Sequence, residues 1–241
     1  MEKYDEAIEV IANDNTAPTI LGELCAHYCQ SHCTRVDYEK TLQIRQMKLI
    51  AADKAQAKYV ENIKATDLKS DKKVLVIGAG PGGIAAASYL RRNGMDVLVR
   101  EKLSKPYGIV SHIIPDFRIP DEEIERDYKI ALNQGVKFEF NSEVTESYEE
   151  LKKEFDYIVV ATGAWKEGRS PVEVGSDHVI DALDFLWDVR MEGGAKLGKK
   201  VAVVGAGDVA MDCTRTAARQ EGVEEVTLHA SHPRRSKRRK S

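Results

Sequence analysis

The sequence is poor in aromatic residues, which make up 7% of it, and it carries no large surplus of charge. Its 36 Lys and Arg stand against 39 Asp and Glu, a formal net charge of −3. That balance excludes a global attraction to nucleic acid or to an anionic membrane surface. No apolar run is long enough to cross a bilayer. The opening stretch, MEKYDEAIEVIANDN, is acidic and polar and does not read as a secretory leader, so a cytoplasmic protein is expected. Cysteine is scarce, with four in 241 residues, yet Cys25, Cys29 and Cys33 fall within nine residues. Such crowding without a leader argues for metal ligands in a reducing compartment and against a disulfide framework. What is present is globular in character: 42% apolar and 31% charged residues can bury a core.

Three segments follow from the pattern. Residues 1–70 lack strand signals. Glu39 to Val60 places Leu42, Ile44, Met47, Leu49, Ile50 and Ala51 at helical spacing, so a small helical domain around the cysteines is expected. The polar stretch ENIKATDLKSDKK reads as a linker. Residues 71–165 alternate strands and helices. Strands are expected at Val74–Ile77, Val97–Val99, Val136–Phe140 and Tyr157–Val160. Helices are expected at Ile84–Arg92 and Asp121–Asn133, the second opened by Pro120 and three acids. Residues 166–241 hold a helix near Asp181–Arg190 and then a second strand–turn–helix–strand unit. The fold class is α/β, with two dinucleotide-binding units after an α-helical domain.

The two glycine turns carry the chemistry. Gly78-Ala79-Gly80-Pro81-Gly82-Gly83 fits G-x-G-x-x-G, follows a strand and opens a helix. The first glycine permits the tight turn, the second lets a pyrophosphate approach the backbone, and the third lets helix and strand pack closely. Phosphates then meet free N–H groups at the positive end of the helix. Glu101, 23 residues beyond Gly78, stands where a carboxylate can accept from ribose hydroxyls. Gly205-Ala206-Gly207-Asp208-Val209-Ala210 fits G-x-G-x-x-A. Its next strand ends in His229 without an acid, and Arg234 and Arg235 follow. Arginines suit a 2′-phosphate, so NADPH is favoured over NADH. The competing reading makes PRRSKRRKS a solvated basic tail. The strand DYIVVATG, ending in Ala161-Thr162-Gly163, lies between the two turns.

Cys25, Cys29 and Cys33 have C-x3-C-x3-C spacing, which on a helix would put all three on one face and in a loop would still let them converge. Three thiolates suit an iron–sulfur cluster or zinc, and an unmetallated site is the alternative. His27 and His32 are candidates for a fourth ligand by proximity only. Cys213 falls inside a helix and reads as a packing residue.

In this order the pieces resemble the glutamate synthase small-subunit family of flavoproteins. That group takes in the N-terminal half of dihydropyrimidine dehydrogenase and selenate-reductase-like flavoprotein subunits. The matching stretches are GELCAHYCQSHCTR with LQIRQMK, VLVIGAGPGGIAAASYLRRNGMDVLVREK, PYGIVSHIIPDFRIP, VVATGAW, ALDFL and VAVVGAGDVAMDCTRTAAR, across roughly residues 18–228. KPYGIVSHIIPDFRIP is most like the selenate-reductase-like members, since many glutamate synthase subunits have Gly-Gly where Tyr107-Gly108 stands. The resemblance implies FAD held by Gly78, Gly80, Gly83 and Glu101, with backbone contacts from Gly108, Ile109 and Ala161–Gly163 and with Val144 near the adenine. It implies NADPH at Gly205, Gly207, Asp208, Val209 and Ala210, and an iron–sulfur cluster, of the 4Fe-4S type, on Cys25, Cys29 and Cys33. The family carries more N-terminal cysteines and a later return to the FAD domain, so a C-terminally truncated form is expected here.

The expected function is electron transfer from NADPH through FAD to the cluster and then to a larger catalytic subunit or further domains. No side chain reads as a general base or nucleophile, and hydride transfer needs none. One competitor is a non-catalytic nucleotide-binding or assembly fragment. Another is a simple dehydrogenase holding nicotinamide on the first loop.

Overall fold

The computed structural model describes residues 3–166 and 175–230. They form two compact units. The first spans residues up to 111 and 116–164; the second holds 112–115 and the residues from 165 onward.

The first unit begins with helices α1 (Tyr4–Asp14), α2 (Pro18–Leu24), α3 (Tyr28–Ser31) and α4 (Ile44–Asn62). The helix foreseen from Glu39 therefore starts at Ile44. The apolar residues do not define its buried face: Leu42, Ile44, Met47 and Ile50 are exposed, while Ala51, Ala52, Ala55, Gln56 and Val60 are buried. Apolar residues run around most of α4, so their spacing cannot choose a face. The small alanines do, because they let neighbouring helices approach. Ile8 of α1 packs on Ala52 and Ala55, with Tyr4 and Tyr59 around them.

The rest of this unit is β1 (Lys73–Ile77), α5 (Pro81–Arg92), β2 (Asp96–Arg100), α6 (Ile109–His112), α7 (Asp121–Asn133), β3 (Lys137–Glu139), α8 (Tyr148–Leu151) and β4 (Tyr157–Val160). The strands pair in the order β3-β2-β1-β4, all parallel. Val74 faces Val97 and Tyr157, and Ile77 faces Arg100 and Val160. Central β1 is buried from Val74 to Val76, as a strand covered on both faces must be. Leu75 packs with Leu151 and Phe155, and Ile77, Leu98, Val144 and Ile158 pack against that cluster. The pairing brings Gly78 and Ala161 to the carboxyl end of the sheet, where open α/β sheets take ligands.

A buried carboxylate ties the N-terminal helices α2 and α4 to α7. Asp127 of α7 is fully buried. It accepts hydrogen bonds from Thr19 N (3.1 Å), Ile20 N (2.7 Å) and Gln56 Nε2 (2.7 Å), while the Thr19 hydroxyl donates to Gln56 Oε1 at 2.6 Å. Pro18 at the start of α2 leaves the next amides without helical acceptors, and Asp127 supplies them.

The second unit contains α9 (Ala182–Glu192), β5 (Lys200–Val204), α10 (Asp208–Ala217) and β6 (Glu225–His229). β5 and β6 pair in parallel, Val201 opposite Val226 and Val204 opposite His229. Every residue of both strands is at least partly exposed, so this sheet is far less covered than the first. Phe185 and Leu186 of α9 and Ala210, Cys213 and Ala217 of α10 form the buried part. Among the described residues no helix is long and apolar enough to cross a membrane.

Burial pushes the Asp127 carboxyl up from 3.8 to about 6, against the hydrogen bonds that pull it down. Between these two values the folded chain holds the proton more tightly than the unfolded chain. The group's contribution to stability is therefore present below pH 4 and lost as pH rises through 6, by about 3 kcal/mol in all. Asp127→Asn places an amide donor among donors and is expected to cost about 2 kcal/mol at pH 7. Urea unfolding at several pH values checks both effects: the gap between wild type and variant widens as pH falls from 6 to 4.

Candidate functional site

The first glycine turn is built by close approach. Gly78 has φ +104°, a region that disfavours any side chain, and a Cβ there would lie 2.5 Å from the Ala161 carbonyl oxygen. A Cβ on Gly83 would lie 2.0 Å from the Gly78 carbonyl oxygen, so the first turn of α5 rests directly on the end of β1. Gly80 and Gly82 are different: a Cβ on either would meet nothing within 4 Å. Gly80 is the N-cap of α5 and Pro81 its first residue, which needs no hydrogen-bond acceptor there. The turn is closed where it packs and open where a pyrophosphate would lie. The residues fit a dinucleotide.

Glu101 is buried just beyond β2. Its Oε2 accepts from Ala79 N at 2.7 Å and its Oε1 from Leu103 N at 2.8 Å. The carboxylate expected to read a ribose thus also holds the glycine turn. The other end of the same residue is fixed too, since Tyr107 N donates to the Ala79 carbonyl at 2.7 Å. Tyr107 is fully buried and has φ +66°, a conformation that costs a non-glycine residue about 1–2 kcal/mol. Tyr107 was not among the expected site residues. The signal was a bulky residue in a position where glycine is at home.

Gly108 is buried with φ +53°, next to Ile109, the first residue of α6. Ala161 is half-buried beside Gly78, and Thr162 and Gly163 are exposed past the end of β4. Val144 packs against the core cluster under the sheet and keeps part of its surface open. Its segment is held by Arg100, which donates to Ser142 Oγ (3.0 Å), the Glu143 carbonyl (3.2 Å) and Glu146 (2.7 Å).

The second turn repeats the plan with less support. Gly205 N donates to the His229 carbonyl at 2.9 Å, tying the turn to β6. A Cβ on Gly205 would sit 3.1 Å from the Ala210 methyl, and one on Gly207 would meet nothing within 4 Å. Gly207 is the N-cap of α10, Asp208 opens it, and Asp208 and Val209 are exposed while Ala210 is buried. This cradle also fits a dinucleotide phosphate. Arg234 and Arg235 lie outside the described residues.

The cysteine segment differs from a single helix. Cys25 ends α2 in an extended conformation, His27 turns the chain with φ +47°, Cys29 lies in the one-turn α3, and Cys33 precedes a 3-10 turn over Thr34–Asp37. All three thiols are free, Cys29 exposed and the others half-buried. The His27 amide donates to Cys25 Sγ at 3.4 Å. Backbone N–H groups of Arg35 and Leu42 hold the Cys33 thiol below its ordinary pKa, which favours the ligating thiolate. The donor type suits a cluster. Among the described residues no three His, Cys, Asp or Glu side chains are grouped as ligands of a single metal ion. The left-handed turn at His27 breaks the helix that would have aligned them, and His32 instead turns its Nδ1 to the Tyr28 carbonyl at 2.9 Å. Cys213 is buried in α10, as a packing residue would be.

A parallel sheet with glycine turns at its strand ends and an acid beside the first of them defines a nucleotide-binding α/β oxidoreductase. The chain belongs to the pyridine nucleotide-disulphide oxidoreductase family, whose profile matches residues 72–238. Residues 1–60 match the family described as dihydropyrimidine dehydrogenase domain II, 4Fe-4S cluster. FAD, a nicotinamide dinucleotide and a 4Fe-4S cluster are the cofactors that these two matches imply. The chain is 40% identical over 228 residues to the oxidoreductase YgfK of Escherichia coli K12, covering 94% of this chain and 22% of that protein. It is 34% identical to the NADPH-Fe(3+) oxidoreductase subunit beta of Geobacter sulfurreducens, covering 94% and 35%. It is 28% identical to the glutamate synthase [NADPH] small chain of Bacillus subtilis, covering 96% and 50%. The resemblance read from the motifs is borne out. Among solved structures, a 2-naphthoyl-CoA reductase complex matches with TM-score 0.53 and 31% identity, covering 70% of this chain and 24% of that one. The chain thus spans from about a fifth to half the length of these curated relatives.

Two glycines separate folding from binding. Gly83→Ala forces a methyl into the Gly78 carbonyl and is expected to destabilise the chain by at least about 3 kcal/mol. Gly80→Ala meets open space and is expected to change stability by less than about 1 kcal/mol while weakening FAD binding at least about tenfold. Thermal unfolding and flavin fluorescence titration of the two variants check this.

Proposed function

We propose that this chain is part of an oxidoreductase that takes electrons from NADPH through FAD to an iron–sulfur centre and a partner acceptor. The single observation carrying the reading is the first glycine turn. It is closed by packing at Gly78 and Gly83, open at Gly80 and Gly82, and carries a buried acid, Glu101, on its own backbone. In this proposal Gly78–Gly83, Glu101, Gly108, Ile109, Val144 and Ala161–Gly163 bind FAD. Gly205, Gly207, Asp208, Val209 and Ala210 bind NADPH, with Arg234 and Arg235 on its 2′-phosphate. The amides at the start of α5 and α10 face the two pyrophosphates, and the extended Gly80 and Gly207 let them come close.

The flavin, when bound, accepts a hydride pair and can release it one electron at a time. The chain's own residues bind and orient; none is asked to move a proton. Cys25, Cys29 and Cys33 are the proposed cluster ligands. The acceptor is a larger catalytic subunit or further domains, and the place of action is the cytoplasm. NADPH-linked relatives, including the Geobacter subunit and the Bacillus small chain, support the nucleotide assignment.

The second reading is a nucleotide-binding or assembly piece without turnover. The exposed two-stranded sheet of the second unit favours it, since a nicotinamide site there has little cover. An anaerobic stopped-flow experiment on the flavin-loaded chain decides. The expected result is loss of the oxidised flavin absorbance on mixing with NADPH, faster than with NADH. Retained flavin that NADPH does not bleach would leave the non-catalytic reading.

A further inference from the structure

Tyr107 joins the first glycine turn to the segment carrying the cysteines. Its backbone N–H donates to the Ala79 carbonyl at 2.7 Å, inside the turn. Its phenol, wholly buried, donates to the Thr16 carbonyl at 3.2 Å. Thr16 stands two residues before Pro18, where α2 begins, and α2 runs without interruption to Leu24 and delivers Cys25 as its C-cap. The chain between Thr16 and α2 has little slack, because Ala17 N is itself tied to Asn15 Oδ1 at 3.0 Å. The left-handed backbone of Tyr107 matters here. Neighbouring Gly108 is also left-handed, and a glycine at 107 would adopt this turn without strain. A strained, buried tyrosine is retained only where the surroundings hold it, and what holds this one is a bond at each end.

We propose that Tyr107 is a positioning residue that couples occupancy of the first glycine turn to order in the α2–Cys25 segment. The proposal rests on the flavin reading above. A pyrophosphate on the amides of the turn fixes the Ala79 peptide. That peptide fixes the Tyr107 backbone, and the phenol carries the constraint to Thr16 and the entry of α2. Flavin loading therefore rigidifies the segment that presents Cys25, and by reciprocity an ordered segment favours flavin binding. Asp127 holds the same helix through Thr19 and Ile20 and its charge also reaches the Tyr107 phenol, so it sets the baseline order of α2 in the wild type and in both Tyr107 variants.

The test is amide hydrogen exchange of residues 19–25, with and without saturating FAD, in the wild-type chain, Tyr107→Phe and Tyr107→Gly. In the wild type, FAD is expected to slow exchange of Leu21–Cys25 at least about fivefold. In both variants the ratio with and without FAD is expected to fall below about twofold. Phe removes only the hydroxyl, and Gly removes the ring while relieving the backbone. A role in stability alone would change exchange equally with and without flavin and leave the ratio at its wild-type value, which overturns the coupling. Flavin binding to the wild type without any protection of Leu21–Cys25 also overturns it. Failure of FAD to bind, read separately by fluorescence titration, would overturn the flavin reading and this coupling with it.

Discussion

The first unit depends on the contact between Gly83 and the carbonyl of Gly78. No side chain fits between them, so α5 begins as close to the end of β1 as two backbones can lie. That approach sets the direction of α5, and α5 then packs on β1 and β2. Of its buried residues, Gly83, Ile84, Ala87 and Ser88 are small or β-branched, as a helix held this near a sheet requires, and the fifth, Arg91, lies in its last turn. The same contact leaves the amides of Gly82 and Gly83 in a first turn that no preceding residue can satisfy. The packing solution for the fold and the anion-binding property of the site are thus one arrangement, seen from two sides.

Much of this was legible in the sequence because the rules involved are local. Strand, glycine turn, helix and acid follow one another over some twenty residues, and each has a steric or hydrogen-bonding cause. β1 and β4 were read at or within one residue of their limits for that reason, and α7 because Pro120 and three acids mark its start. Long-range choices were not legible. Asp127 lies on the buried stripe of α7 with Ile124, Tyr128 and Ile130, an unexpected place for a carboxylate. Its partners are more than seventy residues away in sequence, so only the folded chain explains it. Likewise the exposed Leu42, Ile44 and Met47 announce a helix without saying which face is covered, and packing by small alanines decided the matter.

The cysteine segment takes the loop form that its spacing also allows, for a related reason. Intervals of four residues align side chains only if the helix continues, and here it ends at Leu24. His27 adopts a left-handed conformation that a longer helix would forbid, and three short pieces take the place of one. The thiolate-stabilising amides at Cys33 survive this change because they are local to the following turn.

The two glycine turns share a sequence grammar and differ in how firmly they are held. In the first, Ala79 is buried and both ends of its peptide are bonded, to Glu101 and to Tyr107. In the second, Ala206 and Gly207 are exposed, and among the described residues the turn is tied by the bond from Gly205 to the His229 carbonyl and by the helical bond from Met211 N to the Gly207 carbonyl. A cradle bonded at both ends of Ala79 has less freedom to lose on binding than a loosely held one, which pays more ordering entropy each time. A resident flavin needs the first behaviour, and a nicotinamide nucleotide that must leave after each hydride transfer needs the second. The proposed assignment of FAD to the first turn and NADPH to the second therefore draws on more than their order along the chain. The difference in backbone support points the same way, and it arises from two residues, Glu101 and Tyr107, that the second turn has no counterpart for among its described neighbours.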